Sequence, residues 1–118
     1  MMGTMPPTSS KTDLSVVIPV YNSEDSIKET VECVLRAFGE RGRIQIVLIN
    51  DGSRDGSDRE CRALVERHPG RITYARLSKN FGEHNAVMAG LRRAQGEFVV
   101  IMADAMQTPP AEALRIFE

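Results

Sequence analysis

Short, nearly continuous apolar runs alternate along this chain with longer stretches in which apolar residues recur every three or four positions. Leu14, Val16, Val17 and Ile18 form one run, Ile44, Ile46, Val47, Leu48 and Ile49 a second, and Phe98, Val99, Val100 and Ile101 a third. Each is rich in β-branched residues and too short for an independent helix, which predicts strands buried on both faces. Residues 71–77 alternate more, with Thr73 and Arg76 among Ile72, Tyr74 and Leu77, and predict a strand nearer an edge. Between them, Ile27, Val31, Val34, Leu35 and Phe38 mark one face of an amphipathic helix closed by Gly39. Cys61, Leu64 and Val65 mark a narrower one. Val87, Leu91 and Ala94, with Met88 beside them, mark a third, ended by Gly96.

The connections carry turn and cap chemistry. Asn50-Asp51-Gly52-Ser53 stops the second run with residues that favour turns. Asn22 or Ser23 can cap the first helix, Ser57 and Glu60 have the spacing of a capping box, and Thr108-Pro109 reads as N-cap and N1 of a final helix. Strand and helix patterns that alternate with short connections predict an α/β fold, a parallel sheet of about four strands with helices on both faces. In the strand order 3-2-1-4 of a Rossmann-like half-fold, the first and last strands are neighbours. The loops at residues 19–23, 50–53 and 103–107 then open on one crevice, where such sheets bind ligands.

A chain of 118 residues is one domain. Residues 1–12, MMGTMPPTSSKT, have no periodic apolar positions and are expected to be a disordered lead-in, with the domain over 13–118. A formal net charge of −1 argues against nucleic acid or an anionic membrane as a partner. Neither a span of about 18 apolar residues nor a secretion signal is present, and the expected setting is the cytoplasm. Cys33 and Cys61 lack metal or redox spacing and are expected to be small buried hydrophobes. The first strand-to-helix turn lacks G-x-G-x-x-G and the P-loop pattern, so a nucleotide would be held in another way.

Four motifs in order, Val16-Val17-Ile18-Pro19-Val20-Tyr21-Asn22, Ile49-Asn50-Asp51-Gly52-Ser53-x-Asp55-Gly56-Ser57, Lys79-Asn80-Phe81-Gly82 and Met106-Gln107-x-Pro109-Pro110, resemble those of family 2 glycosyltransferases. The resemblance is greatest to the polyprenyl-phosphate (dolichol- or undecaprenyl-phosphate) sugar transferases, and it covers residues 13–118. It implies a GT-A type half-fold and a nucleotide-diphosphate sugar in the crevice. By this resemblance Pro19 and Tyr21 line the base pocket, Asp51 accepts hydrogen bonds from base or ribose, and Lys79 lies near the diphosphate. Asn22, Gly52, Ser53 and Asn80, in the same motifs, complete the implied nucleotide set. An aromatic wall, a carboxylate and a cation suit stacking, ring N–H groups and phosphate respectively. For Asp51 a turn-closing role, and for Lys79 a solvated loop position, stand beside these readings. His84 fits the pattern Gly-x-His but reads more simply as an exposed residue of a first helical turn.

The family pattern also implies a divalent cation, Mg²⁺ or Mn²⁺, held by a D-x-D-x-Q segment. Here that segment is Ala103-Asp104-Ala105-Met106-Gln107, leaving only Gln107 on the expected side and Asp104 on the other face of an extended strand. Ser23 replaces a usual glutamate, with Glu24 one position late, and Asn50 replaces the first of two aspartates. The family's acceptor pocket and general base lie beyond the matched segment, so no catalytic residue is assigned. The expected function is the donor-binding part of an enzyme moving a hexose from a nucleotide-sugar to a polyprenyl phosphate or similar acceptor. This chain alone is expected to be inactive, and membrane-associated only through a further C-terminal part or a partner. The alternative is a non-catalytic nucleotide-binding or assembly module. A third reading, an open sheet edge that pairs with a second copy, predicts self-association.

Overall fold

The computed structural model describes residues 12–39 and 42–103. Four strands, β1 (Thr12–Val20), β2 (Ile44–Asn50), β3 (Ile72–Arg76) and β4 (Gly96–Ile101), alternate with three helices, α1 (Ile27–Phe38), α2 (Ser57–Arg67) and α3 (Glu83–Arg93). The strands form one parallel sheet in the order β3-β2-β1-β4, as expected from the alternation. Three of its register pairs, Val20 with Asn50, Asn50 with Arg76 and Val17 with Ile101, bring the carboxyl ends of neighbouring strands close together. β1 begins at Thr12, the last residue of the expected lead-in, whose other residues lie outside the described ones. The helix expected to start at Thr108-Pro109 lies outside them too.

The sheet is covered unequally. On one face Val16, Ile18, Ile46 and Leu48 pack under Ile27, Val31, Val34 and Phe38 of α1 and Cys61 and Leu64 of α2. On the other, Val17, Val47 and Ile49 meet α3 through Ala86, with Ala89 and Ala94 at the margin. Every residue of β2 is buried, whereas β3, at the edge, is half-exposed, as its alternation predicts. Cys61 is buried and Cys33 half-buried.

Three expectations are corrected. α3 does not dock through Val87 and Leu91: Leu91 and Met88 are exposed, and the buried positions are Ala86 and Gly90. A Cβ on Gly90 would stand 2.4 Å from Val17 Cγ1, so the helix lies too close to the sheet for larger side chains on that face. Gly96 does not end this helix. The helix stops at Arg93, Ala94 is extended, and Gly96 opens β4. Nor is β4 buried on both faces, since Phe98, Val99 and Ile101 are 56%, 42% and 51% exposed. Among the described residues α2 lies over β3 and β2 with α1 beside it over β2, and α3 lies over β1 and β2 on the other face, so none of the three helices is centred on β4.

Candidate functional site

The first two loops leave neighbouring strands and are knitted together. Val20 O accepts from Asp51 N (2.7 Å), and Asn50 O accepts from Leu77 N (2.9 Å). Beyond the strand ends, Asn22 N donates to Ser53 Oγ and Arg54 N to Asn22 Oδ1, both at 2.9 Å. Ser23 N donates to Ser57 Oγ (2.7 Å), Glu24 N to Asp55 Oδ2 (3.1 Å) and Gly56 N to Glu24 Oε1 (2.8 Å). Asn22 reaches this position with φ at +50°, a left-handed conformation that asparagine tolerates.

These cross-loop bonds revise the expected caps. Asn22 and Ser23 do not cap α1 with their side chains: Asn22 faces the second loop, and Ser23 Oγ donates to Tyr21 O. The helix starts instead on Ser23 O, which accepts from the N–H groups of Ser26 and Ile27. Ser57 is the first residue of α2, not its cap. Asp55 Oδ1 accepts from both Ser57 N (2.9 Å) and Ser57 Oγ (2.6 Å), so the aspartate satisfies the helix start. Burial pushes the Asp55 carboxyl up, but the bonds from Ser57 and Glu24 outweigh it and hold the group below its ordinary value.

Asp51 governs the third loop. Buried to 3% exposure, its carboxylate accepts from Phe81 N (2.8 Å), Gly82 N (3.1 Å) and Asn80 Nδ2 (3.2 Å). A carboxylate offers about four acceptor positions, so most of Asp51's capacity fastens residues 80–82. Gly52, at φ +70°, allows this approach: a Cβ there would lie 2.4 Å from Asn80 N and Lys79 C. Lys79 and Asn80 are exposed beside it, and Lys79 Nζ lies 5.3 Å from the centroid of the Phe81 ring.

The structure therefore joins Asn22 with Ser53, and Asp51 and Gly52 with Asn80 and the Lys79 backbone. Pro19 is half-buried within β1, and Tyr21, 49% exposed, follows directly after the strand. His84 is exposed in the first turn of α3, as its simpler reading has it. Asp104 and Gln107 lie outside the described residues. Among the described residues, no three His, Cys, Asp or Glu side chains gather as a metal site, and the residue at position 103, beyond β4, is alanine, which carries only a methyl group.

Asn50, fully buried, and Tyr74 were not singled out by sequence as site residues. Asn50 Oδ1 accepts from Ser53 N (3.1 Å) and its Nδ2 donates to Tyr74 Oη (3.0 Å). Tyr74 Oη donates to Asp58 Oδ1 (2.6 Å), Arg62 Nε donates to both oxygens of that carboxylate (3.1 and 3.0 Å), and Arg76 Nη1 lies 3.6 Å from Oδ2. Burial and then the bond to Asp58 push the Tyr74 hydroxyl well above its ordinary value, so it stays protonated. Asp58 is lowered chiefly by the tyrosine, against the effect of burial, and then by Arg62 and Arg76, so it stays ionised. The sequence signal available was a tyrosine in a short alternating strand, two positions before its end.

The sequence model of glycosyl transferase family 2 matches residues 15–115. An undecaprenyl-phosphate 4-deoxy-4-formamido-L-arabinose transferase of Edwardsiella ictaluri is 38% identical over 106 residues, 89% of this chain and 33% of that protein. The structure of the mannosyltransferase PcManGT from Pyrobaculum calidifontis, in complex with GDP-Man and Mn²⁺, superposes with a TM-score of 0.71 at 27% identity, over 79% of this chain and 27% of that one. Residues 1–349 of S. aureus TarS, in complex with UDP-GlcNAc, superpose with a TM-score of 0.65 at 25% identity, over 78% and 26%. The chain thus spans about a third of the length of its curated relative.

Proposed function

The chain belongs to glycosyl transferase family 2, and from that premise we propose that residues 13–118 form the donor-binding part of an enzyme that moves a sugar from a nucleotide-diphosphate sugar to a polyprenyl phosphate. The observation that carries this reading is the knitting of three loops at the carboxyl ends of β1, β2 and β3, with Asp51 as the common brace. In the proposal, Pro19 and the exposed Tyr21 ring present a wall on which a base stacks. Asn22, Gly52 and Ser53 shape the turn beside it. Asp51 holds the Lys79–Gly82 loop and turns its remaining acceptor capacity to base or ribose, while Lys79 and Asn80 face the diphosphate. No general base is assigned within these residues. The resemblance implies a hexose, whereas the Edwardsiella relative's name carries a substituted arabinose, a pentose, so both classes belong in the test.

A second reading, nucleotide binding without metal catalysis, is favoured by one observation: alanine at position 103 where the family pattern has a carboxylate. Calorimetric titration with UDP and GDP, and with their hexose and pentose conjugates, each with and without Mn²⁺, separates the readings. The proposal expects saturable binding of one nucleotide, weakened on the order of tenfold by Tyr21→Ala through the lost stacking. Binding unaffected by Mn²⁺, but made metal-sensitive by Ala103→Asp with Ala105→Asp, supports the second reading. No heat with any nucleotide overturns both.

A further inference from the structure

Behind the donor loops runs a chain of hydrogen bonds whose direction is fixed. A tyrosine hydroxyl has one proton to donate, and the 2.6 Å bond gives it to Asp58, a carboxylate that Arg62 and Arg76 flank. Toward residue 50 the hydroxyl therefore presents only lone pairs, and the partner there must be a donor. Asn50 supplies one through Nδ2, and the same amide then turns its oxygen to Ser53 N. An aspartate of the same shape would supply none.

We propose that Tyr74 and Asp58, which lie outside the loops, are positioning residues: they dictate a donor at position 50 and thereby hold the Asn50–Ser53 turn. Ser53 Oγ in turn accepts from Asn22 N, so the setting passes to the first loop as well. The inference rests on the proposed donor site for its functional meaning, and accounts for asparagine at a position where the family pattern has the first of two aspartates.

The direction of the chain is testable by reversing it in the 118-residue protein. In Asn50→Asp, the new carboxylate faces Tyr74 and Asp58, with Arg62 and Arg76 beyond them. At neutral pH its thermal midpoint falls and exchange of the Ser53 amide accelerates on the order of tenfold, the consequence of a buried acceptor facing another acceptor. The new carboxyl's pKa is raised in the folded state, so its ionisation opposes folding increasingly as pH rises above the ordinary carboxylate range, and the gap to the parent protein closes as pH falls. Adding Asp58→Asn reverses the chain. The amide introduced at position 58 donates to the Tyr74 hydroxyl, and that hydroxyl donates to the carboxylate introduced at position 50, which restores both the midpoint and the Ser53 protection at neutral pH. If Asn50→Asp alone does not fold at pH 7, recovery of folding in the double variant is the same result. A double variant no better than Asn50→Asp, or a gap independent of pH, overturns the proposal. Affinity for UDP or GDP is expected to follow the same order. A parent protein that binds neither nucleotide defeats the donor-site reading alone, because exchange and melting report the chain's direction without ligand.

Discussion

Asp51 and Asp55 stand four residues apart and organise different neighbours. Asp51 holds backbone N–H groups some thirty residues away, and Asp55 holds the start of α2 together with Glu24 N. Nothing in the sequence around Phe81 and Gly82 marks them as donors to a distant carboxylate, because every residue but proline carries the same N–H. The place of Asp51 at a strand end is legible from its neighbours in sequence, and only the fold supplies its partners. For Asp55 the consequence is measurable. Asp55→Ala removes the bonds to Ser57 and Glu24, and a lost cap costs about 1 kcal/mol at pH 7. Because the folded-state pKa of Asp55 lies below 3.8, its stabilisation is fully present above that value and fades as pH falls through the folded pKa. Chemical denaturation of parent and variant at several pH values checks this: the difference in stability narrows on acidification. A constant difference would mean that the charge of Asp55 contributes nothing.

Among the elements, α1 is the one whose sequence pattern states its packing most fully, since large apolar residues at helical spacing enter the core under β1 and β2. α3 is the opposite case. Its buried side is Ala86 and Gly90, residues with little hydropathy, so the exposed Met88 and Leu91 dominate the sequence pattern and point to the wrong face. Close approach, not apolar bulk, fixes this helix, and Gly90→Ala tests it. The new methyl would meet Val17 Cγ1 at 2.4 Å and Ile49 Cγ1 at 3.3 Å, and Val17 is a stiff β-branched side chain inside a strand. Overpacking of this kind costs about 1–3 kcal/mol, against roughly 1 kcal/mol gained in helix propensity. The expected net result is a thermal midpoint lowered by a few degrees, with Leu91→Ala close to neutral. The reverse order would restore the Leu91 face. The other end of α3 is held by an element-scale network that the apolar pattern hides: Gln45 Nε2 donates to Thr73 Oγ1 and Arg93 O, while Ser15 Oγ and Gln45 Oε1 receive the N–H groups that lead into β4. A glutamine and a serine inside buried strands are the sequence trace of that junction, although neither names its partner.

At the scale of the whole molecule, strand order was legible because topology follows from alternation and handedness: β1 to β2 and β2 to β3 step one way with α1 and α2 on one face, and the return to β4 puts α3 on the other. Coverage was not legible, because a run of four apolar residues reads the same whether helices lie over it or not. Among the described residues β4 is the last strand of the sheet, and it carries Phe98 on one face and Val99 and Ile101 on the other, all more than 40% exposed. No helix of the described residues is long and apolar enough to cross a membrane. Exposed apolar side chains on a strand at the edge of the described sheet favour pairing with another strand. We propose a second copy as the partner of the 118-residue chain by itself. Sedimentation velocity is expected to show association that rises with concentration, and Val99→Lys with Ile101→Lys to reduce it, since inward or edge lysines block strand addition. Because both positions are exposed, the double variant should keep the melting behaviour of a folded sheet. A parent chain that sediments as a monomer at high concentration would show that the β4 surface is satisfied without a second copy.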